Sequence, residues 1–165
     1  MKKILVAALV ATTALAACNN AEITQPPVQY HATKRLNEKG VSNFTARTFV
    51  TVDGTKKEIS GVPCKFAAPG FNASFVTPAV VSTPDMGPRT PAGSITCTHE
   101  GKDKLEIMKS YNETVAQIEQ SAYNAGAGAG LIGVIVTGIA ASNQKSRRDA
   151  TLDIYGYPDV SVHFK

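Results

Sequence analysis

The side chains with the greatest chemical capability are three histidines and three cysteines, Cys18, Cys64 and Cys97. Cys97 and His99 fall on one side of a predicted strand, but a metal site needs three or four convergent ligands, and His31 and His163 lie far away in sequence. A catalytic redox pair is usually a close Cys-x-x-Cys, a spacing absent from this chain. No serine, aspartate or second histidine surrounds His99 at a recognisable spacing. We therefore expect His99 to be a surface residue and predict no catalytic residue, metal or cofactor.

Cys18 ends an N-terminal segment with the parts of a secretory signal peptide. Lys2 and Lys3 precede a short apolar run, which is too short for a membrane span, and small residues follow it. The tetrapeptide Leu15-Ala16-Ala17-Cys18 resembles the lipobox of bacterial lipoproteins. That resemblance implies cleavage between Ala17 and Cys18, a diacylglycerol on the Cys18 sulfur and an acyl chain on its amine. The alternative is an ordinary signal peptide whose cut happens to precede Cys18.

The same resemblance implies a location and a redox state. In lipoprotein sorting an aspartate after the lipidated cysteine retains the protein at the inner membrane, and Asn19 stands there, which favours the periplasmic face of the outer membrane. With Cys18 committed to lipid, Cys64 and Cys97 remain as an even pair in an oxidising compartment. We therefore expect a structural disulfide, which closes a 33-residue loop and stabilises the fold by roughly 3 to 4 kcal/mol.

The charge of the chain argues against a nucleic-acid partner. The net charge is +4, and the loss of Lys2 and Lys3 with the signal leaves fifteen basic and thirteen acidic residues, a net charge of about +2. Tryptophan is absent and other aromatic residues are few, so a platform for stacking bases is not expected.

Hydrophobic periodicity predicts a mainly β fold: a small antiparallel sandwich or meander with one disulfide, plus one glycine/alanine-rich helix or helical hairpin inserted before the last strand. Residues with β propensity begin at Phe44, and Asp53-Gly54 is a strong hairpin signal. Ser110 and Glu113 fit a capping box at a helix start. The predicted division is a signal peptide at 1–17, a flexible tether at 18–43, a β domain at 44–109, a helical and glycine-rich segment at 110–150 and a returning strand at 151–165.

The glycine-rich segment is the most distinctive part of the mature chain. No charged residue lies between Glu119 and Lys145. In a helix, small residues at four-residue spacing let a second helix approach closely. The predicted association face consists of Ala125, Ala129, Gly130, Gly133 and Thr137. Three interpretations remain open: a membrane-inserted or self-associating helix, a helix packed on the protein's own sheet, and a Gly-Ala loop before a buried strand.

The segment resembles the glycine zippers of small envelope lipoproteins, and the β domain with its glycine-rich segment is similar to small uncharacterised alphaproteobacterial lipoproteins. The leading hypothesis is a lipid-anchored, non-enzymatic binding or structural module that faces the periplasm. Its partners would be the membrane, through lipid on Cys18, and an envelope protein or a second copy. The alternative hypothesis is a ligand-binding or enzymatic module with a pocket between sheet and helix, using His99 or Tyr111.

Overall fold

The computed structural model describes residues 20–126 and 141–165, without the side chains of residues 125 and 126. The fold is mainly β, with antiparallel sheets, two helical segments and one disulfide, which confirms the predicted class. The strands are β1 (His31–Ala32), β2 (Gly40–Val52), β3 (Thr55–Ile59), β4 (Val62–Ala68), β5 (Phe71–Thr77), β6 (Ala79–Asp85), β7 (Gly93–His99), β8 (Lys102–Met108), β9 (Tyr111–Asn112), β10 (Tyr155–Gly156) and β11 (Val160–Phe164). Helix α1 spans Glu113–Gly126, residues 141–147 are also helical, and 3-10 turns cover Gly87–Arg89 and Ala150–Leu152.

Several predicted functional residues lie outside the described part of the chain. Ala125 belongs to α1, but its side chain is not described. The residues outside are Ala17, Cys18, Ala129, Gly130, Gly133 and Thr137.

The strands form two main sheets around a shared core. The five-stranded sheet has the order β1-β5-β4-β7-β8, and every neighbouring pair is antiparallel. The other sheet contains β11, β2, β3 and β6, and β9 and β10 form a separate two-stranded ribbon. Buried apolar residues from both main sheets form one hydrophobic cluster, so the architecture is a β-sandwich.

Strand β2 organises the four-stranded sheet. Ala46 pairs with both β11 and β6, and Thr48 pairs with both β11 and β3. Because a strand has only two edges, β11 lies along one of them and β6 and then β3 lie along the other. The β2–β11 pair is parallel, unlike the other strand pairs described. The chain therefore returns to the sheet after the helices by a crossover rather than by a hairpin.

Two hairpins have the turn chemistry that the sequence indicates. Asp53 and Gly54 both have positive φ, 50° and 75°, between the paired strands β2 and β3. Glu100 and Gly101 adopt φ values of 51° and 73° between β7 and β8. Two consecutive positive-φ residues suit the right-handed twist of the flanking strands.

The core is built around Phe66, which has no solvent exposure. Its ring centroid lies 5.4 Å from that of Phe44, 5.9 Å from that of Phe71 and 4.9 Å from that of Tyr157. The Tyr157 hydroxyl donates a hydrogen bond of 2.6 Å to the carbonyl of Pro91, and burial raises the pKa of this phenol. The C-terminal segment therefore contributes a neutral hydrogen-bond donor and a large apolar ring to the centre of the sandwich.

The disulfide joins Cys64 to Cys97, as predicted. The two residues lie directly opposite each other on β4 and β7, and both are buried. The bridge thus links the middle strands of the five-stranded sheet inside the core.

The segment predicted to be a flexible tether, 18–43, contacts the sandwich at several described points. Val28 forms a parallel bridge with Val81 of β6, and β1 pairs with the start of β5. Strand β2 begins at Gly40, earlier than the expected start at Phe44. These contacts join residues distant in sequence and follow no local period, so the sequence pattern does not indicate them.

Candidate functional site

Helix α1 begins at a cap that differs from the predicted one. The Asn112 side-chain oxygen accepts a hydrogen bond of 2.9 Å from the backbone N–H of Val115, which is the N-cap interaction. Ser110 instead donates to the carbonyl of Thr90 at 2.6 Å. The predicted capping box of Ser110 and Glu113 is therefore wrong, because Asn112 pairs in the β9–β10 ribbon and the helix starts only after it.

We call the part of the chain between β9 and β10 the helical excursion. The side chains of Asn112, Arg148 and Asp153 meet at its base, and we call them the base cluster. Asp153, only 2 % exposed, accepts a hydrogen bond of 2.6 Å from the Asn112 amide. The Arg148 guanidinium donates to the same carboxylate from Nε and Nη2, each at 2.9 Å. The base cluster therefore ties the start of α1 to the chain that leaves the second helical segment.

The ionisation of the base cluster follows from these bonds. Hydrogen bonding to Arg148, and then to Asn112, lowers the pKa of Asp153. The same carboxylate raises the pKa of Arg148. Both groups are thus charged at neutral pH and engaged with each other, an arrangement suited to fastening the chain and poorly suited to transferring a proton.

A second contact lies farther along the two helical segments. Lys145 Nζ lies 2.8 Å from a carboxylate oxygen of Glu119. These residues are the last charge before the uncharged stretch 120–144 and the first charge after it. The ion pair therefore brings the two ends of the uncharged stretch together.

The excursion is also joined to β2 of the sandwich. Glu113 and Ser42 share a hydrogen bond, and the Glu113 backbone N–H donates to the Ile154 carbonyl at 2.8 Å. A Cβ added at Gly156 would lie within 3 Å of the Ser42 and Glu113 side chains, so a larger residue here requires both of them to move. Neither Ser42 nor Gly156 stands out in the sequence, because their importance comes from residues far away along the chain.

A cleft of about 290 Å³ lies between the start of β2 and residues 151–154, and Lys39 and Asp85 contribute to its lining. Lys39 Nζ donates to the Thr151 carbonyl at 2.8 Å. Asp85 accepts hydrogen bonds from the backbone N–H groups of Gly87 and Tyr155, at 2.8 Å and 3.2 Å. Among the described side chains, no buried nitrogen or oxygen lacks a partner. Lys39 and Asp85 thus already bond to backbone groups within the protein.

The candidate residues of the alternative hypothesis do not converge. The His99 ring packs against Phe164 at 5.4 Å, and its Nε2 lies 4.0 Å from a carboxylate oxygen of the exposed Glu100. Burial, and then the charges of Glu113 and Asp159, raise the pKa of Tyr111. Within residues 20–126 and 141–165, no three His, Cys, Asp or Glu side chains are grouped for metal binding.

The N-terminal chain docks on the outer face of the four-stranded sheet. Arg47 Nη1 bonds a Glu58 carboxylate oxygen at 2.6 Å and the Ala21 carbonyl at 2.8 Å. The Ala21 backbone N–H donates to the other Glu58 oxygen at 2.8 Å. This Ala21 dock holds both backbone polar groups of one residue, its N–H and its C=O, so the chain is fixed to the sandwich three residues after Cys18.

Searches against protein-family models, curated proteins and solved structures find no match for this chain. Among the described helical residues, no helix has the length and apolar character needed to cross a bilayer.

Proposed function

We propose that the protein is a lipid-anchored protein of the cell envelope and a non-enzymatic binding or structural module that faces the periplasm. In this proposal acyl chains on Cys18 hold it at the outer membrane, and the glycine-rich segment mediates association with an envelope protein or a second copy. The observation that carries the proposal is the fastening of the excursion at two levels, by the base cluster and by the Glu119–Lys145 ion pair.

The ion pair bears directly on how the uncharged stretch could be used. Because Glu119 and Lys145 are in contact, residues 120–144 start and finish at the same level of the molecule. A chain that returns to its starting point does not place its two ends on opposite sides of a bilayer. Twelve helical residues in each direction would extend about 18 Å, less than the hydrocarbon thickness of about 30 Å. This constraint favours a lateral association element over a membrane span.

The fastening also favours a binding role over a linker role. A flexible linker needs no specific polar contacts at its ends, whereas this excursion starts at a capped helix and ends at a buried carboxylate. A held element loses less conformational entropy when it binds a partner. The alternative is a ligand-binding or enzymatic module with a pocket between sheet and helix. The cleft near Lys39 is lined by neither His99 nor Tyr111, and its Lys39 and Asp85 groups already bond within the protein.

The association role is tested by replacing Gly130 and Gly133 with leucine in the full chain. Large side chains on a small-residue face prevent close helix approach, so crosslinked complexes from intact cells should be lost. Gly40→Leu is the matched control, because Gly40 has open space around it and normal φ. Unchanged crosslinking in the double variant would refute the association role of the glycine-rich segment.

The anchor is tested separately by Cys18→Ser and metabolic labelling with a radioactive fatty acid. The wild-type chain should incorporate label and remain with the membrane fraction, because several acyl chains are needed for stable attachment. The variant should lose both properties. Equal labelling of the two proteins, or an unlabelled wild type, would contradict lipidation at Cys18.

A further inference from the structure

We propose that β8 is a homodimer interface, at which two copies of the protein join their five-stranded sheets edge to edge around a two-fold axis through Leu105. The proposal rests on described residues alone and is independent of the glycine-rich segment. Among the described strands, β8 pairs only with β7, so its other edge has no hydrogen-bonded strand partner in the described part of the chain. Leu105 and Ile107 on this strand are 55 % and 65 % exposed.

The hairpin register determines which backbone groups the open edge presents. His99 pairs with Lys102 across the two-residue turn, which makes this pair a hydrogen-bonded one. Hydrogen-bonded and non-hydrogen-bonded pairs alternate along an antiparallel ladder. Asp103, Leu105 and Ile107 therefore turn their backbone N–H and C=O groups toward the open edge. An antiparallel copy centred on Leu105 places Leu105 opposite itself in a hydrogen-bonded pair.

The charges on β8 fit this register. Lys104 and Glu106 lie on the same face of the strand, 3.8 Å apart, and both are partly exposed. A two-fold axis through Leu105 places Lys104 opposite the Glu106 of the second copy, and the reverse, so two ion pairs form across the interface. Opposite charges that face each other across strands are favourable.

The other registers lack this complementarity, because an axis through Lys104 or through Glu106 would place two like charges opposite each other. An axis through Asp103 would place two Asp103 carboxylates opposite each other and Lys102 opposite Lys104. An axis through Ile107 would leave Glu106 opposite Met108. Lysines commonly protect an edge strand from pairing. Here Glu106 lies beside Lys104, so the strand can pair in the one register that places opposite charges together.

The expected interface is small, because one seven-residue strand and its flanking side chains bury less than the roughly 1,200 Å² typical of stable complexes. Dimerisation should therefore be transient in dilute solution. Disulfide trapping is consequently a better probe than the elution volume of the free protein.

The test uses the full chain with Leu105→Cys and mild oxidation by copper phenanthroline, followed by a non-reducing gel. The two Cα atoms of a hydrogen-bonded antiparallel pair lie about 5.5 Å apart, within the range that a disulfide bridges. The matched control is Ile107→Cys, which is at least as exposed, but whose two copies would lie about 14 Å apart in this register. We expect a crosslinked dimer from Leu105→Cys and only the wild-type background from Ile107→Cys.

Charge reversal then tests the register. In the Leu105→Cys background, Lys104→Glu alone and Glu106→Lys alone should each reduce crosslinking, because both ion pairs become repulsive contacts. The combined Lys104→Glu/Glu106→Lys variant should restore crosslinking, since the complementarity is regained with the signs exchanged. Equal crosslinking of the two cysteine variants, no dimer with Leu105→Cys, or failure of the combined reversal to rescue crosslinking would overturn the proposal.

Discussion

At the scale of single residues, Asp153 is the side chain through which the two ends of the helical excursion are fastened. It receives hydrogen bonds from Asn112 and Arg148 while almost fully buried. Removing its charge would leave the Arg148 guanidinium without its ionic partner. The consequence should be local loosening of the excursion together with a loss of stability of the whole domain.

Replacement of Asp153 with asparagine should lower the melting temperature more than Asp149→Asn, which changes an exposed neighbour bonded to Thr151. The pKa of Asp153 is lowered from its ordinary value of 3.8, so the unfolded chain binds this proton more readily. The interaction therefore contributes fully above pH 3.8 and is lost as the pH falls through the lowered folded value. Thermal melts across this acid range should show a smaller pH dependence for Asp153→Asn, and equal pH dependence would contradict this role.

Gly156 lies close to the side chains of Ser42 and Glu113. Alanine at this position would force Ser42 and Glu113 apart, so we expect destabilisation of about 1 to 3 kcal/mol, as for overpacking. Gly40→Ala, at a position with open space, should have little effect. Urea unfolding of both variants measures the difference in stability. Similar midpoints would show that position 156 tolerates a side chain.

At the scale of elements, the disulfide joins the adjacent strands β4 and β7 through two cysteines that lie 33 residues apart in sequence. The Cys64→Ala/Cys97→Ala variant should lose about 3 to 4 kcal/mol of unfolding free energy, because the unfolded chain regains the entropy of the open loop. Urea titrations of wild type with and without reductant should show the same loss. Reductant should leave the double variant unchanged, and an effect there would point to another thiol.

Local sequence signals largely predict which residues form strands, but they do not predict which strands pair with each other. Alternating burial in β5 and β7 and the Asp53-Gly54 turn are visible in the sequence. Strand β6 runs on to Asp85 through the buried Pro84, although proline in a sequence argues against a strand interior. The pairing of β6 with β2 satisfies its backbone, and this long-range contact has no local signature.

The candidate site was less predictable than the fold. Ser110 satisfies a capping motif, but the β9–β10 ribbon moves the helix start to Glu113. The base cluster joins residues separated by up to 41 positions, and each alone reads as an ordinary polar residue. Such a site depends on contacts between residues that are far apart in sequence. The local pattern of residues in one sequence does not indicate these contacts.

At the scale of the whole molecule, the excursion should be separable from the sandwich. Replacing residues 116–147 with a short Gly-Ser linker retains the Glu113–Ser42 contact, the β9–β10 ribbon and the core ring of Tyr157. We expect cooperative unfolding of the shortened protein and no association through the excursion. Circular dichroism with thermal unfolding measures the first, and loss of cooperative folding would show that the excursion is integral to the core.

The Ala21 dock limits how far the protein can reach. An extended chain covers at most about 3.6 Å per residue, so the three residues from Cys18 to Ala21 span about 11 Å. If Cys18 carries the lipid, the outer face of the four-stranded sheet remains about that close to the headgroups while the dock is engaged. Membrane-bound partners then meet the sandwich at high effective concentration and in a restricted orientation. Partners far from the membrane surface are out of reach of the anchored domain.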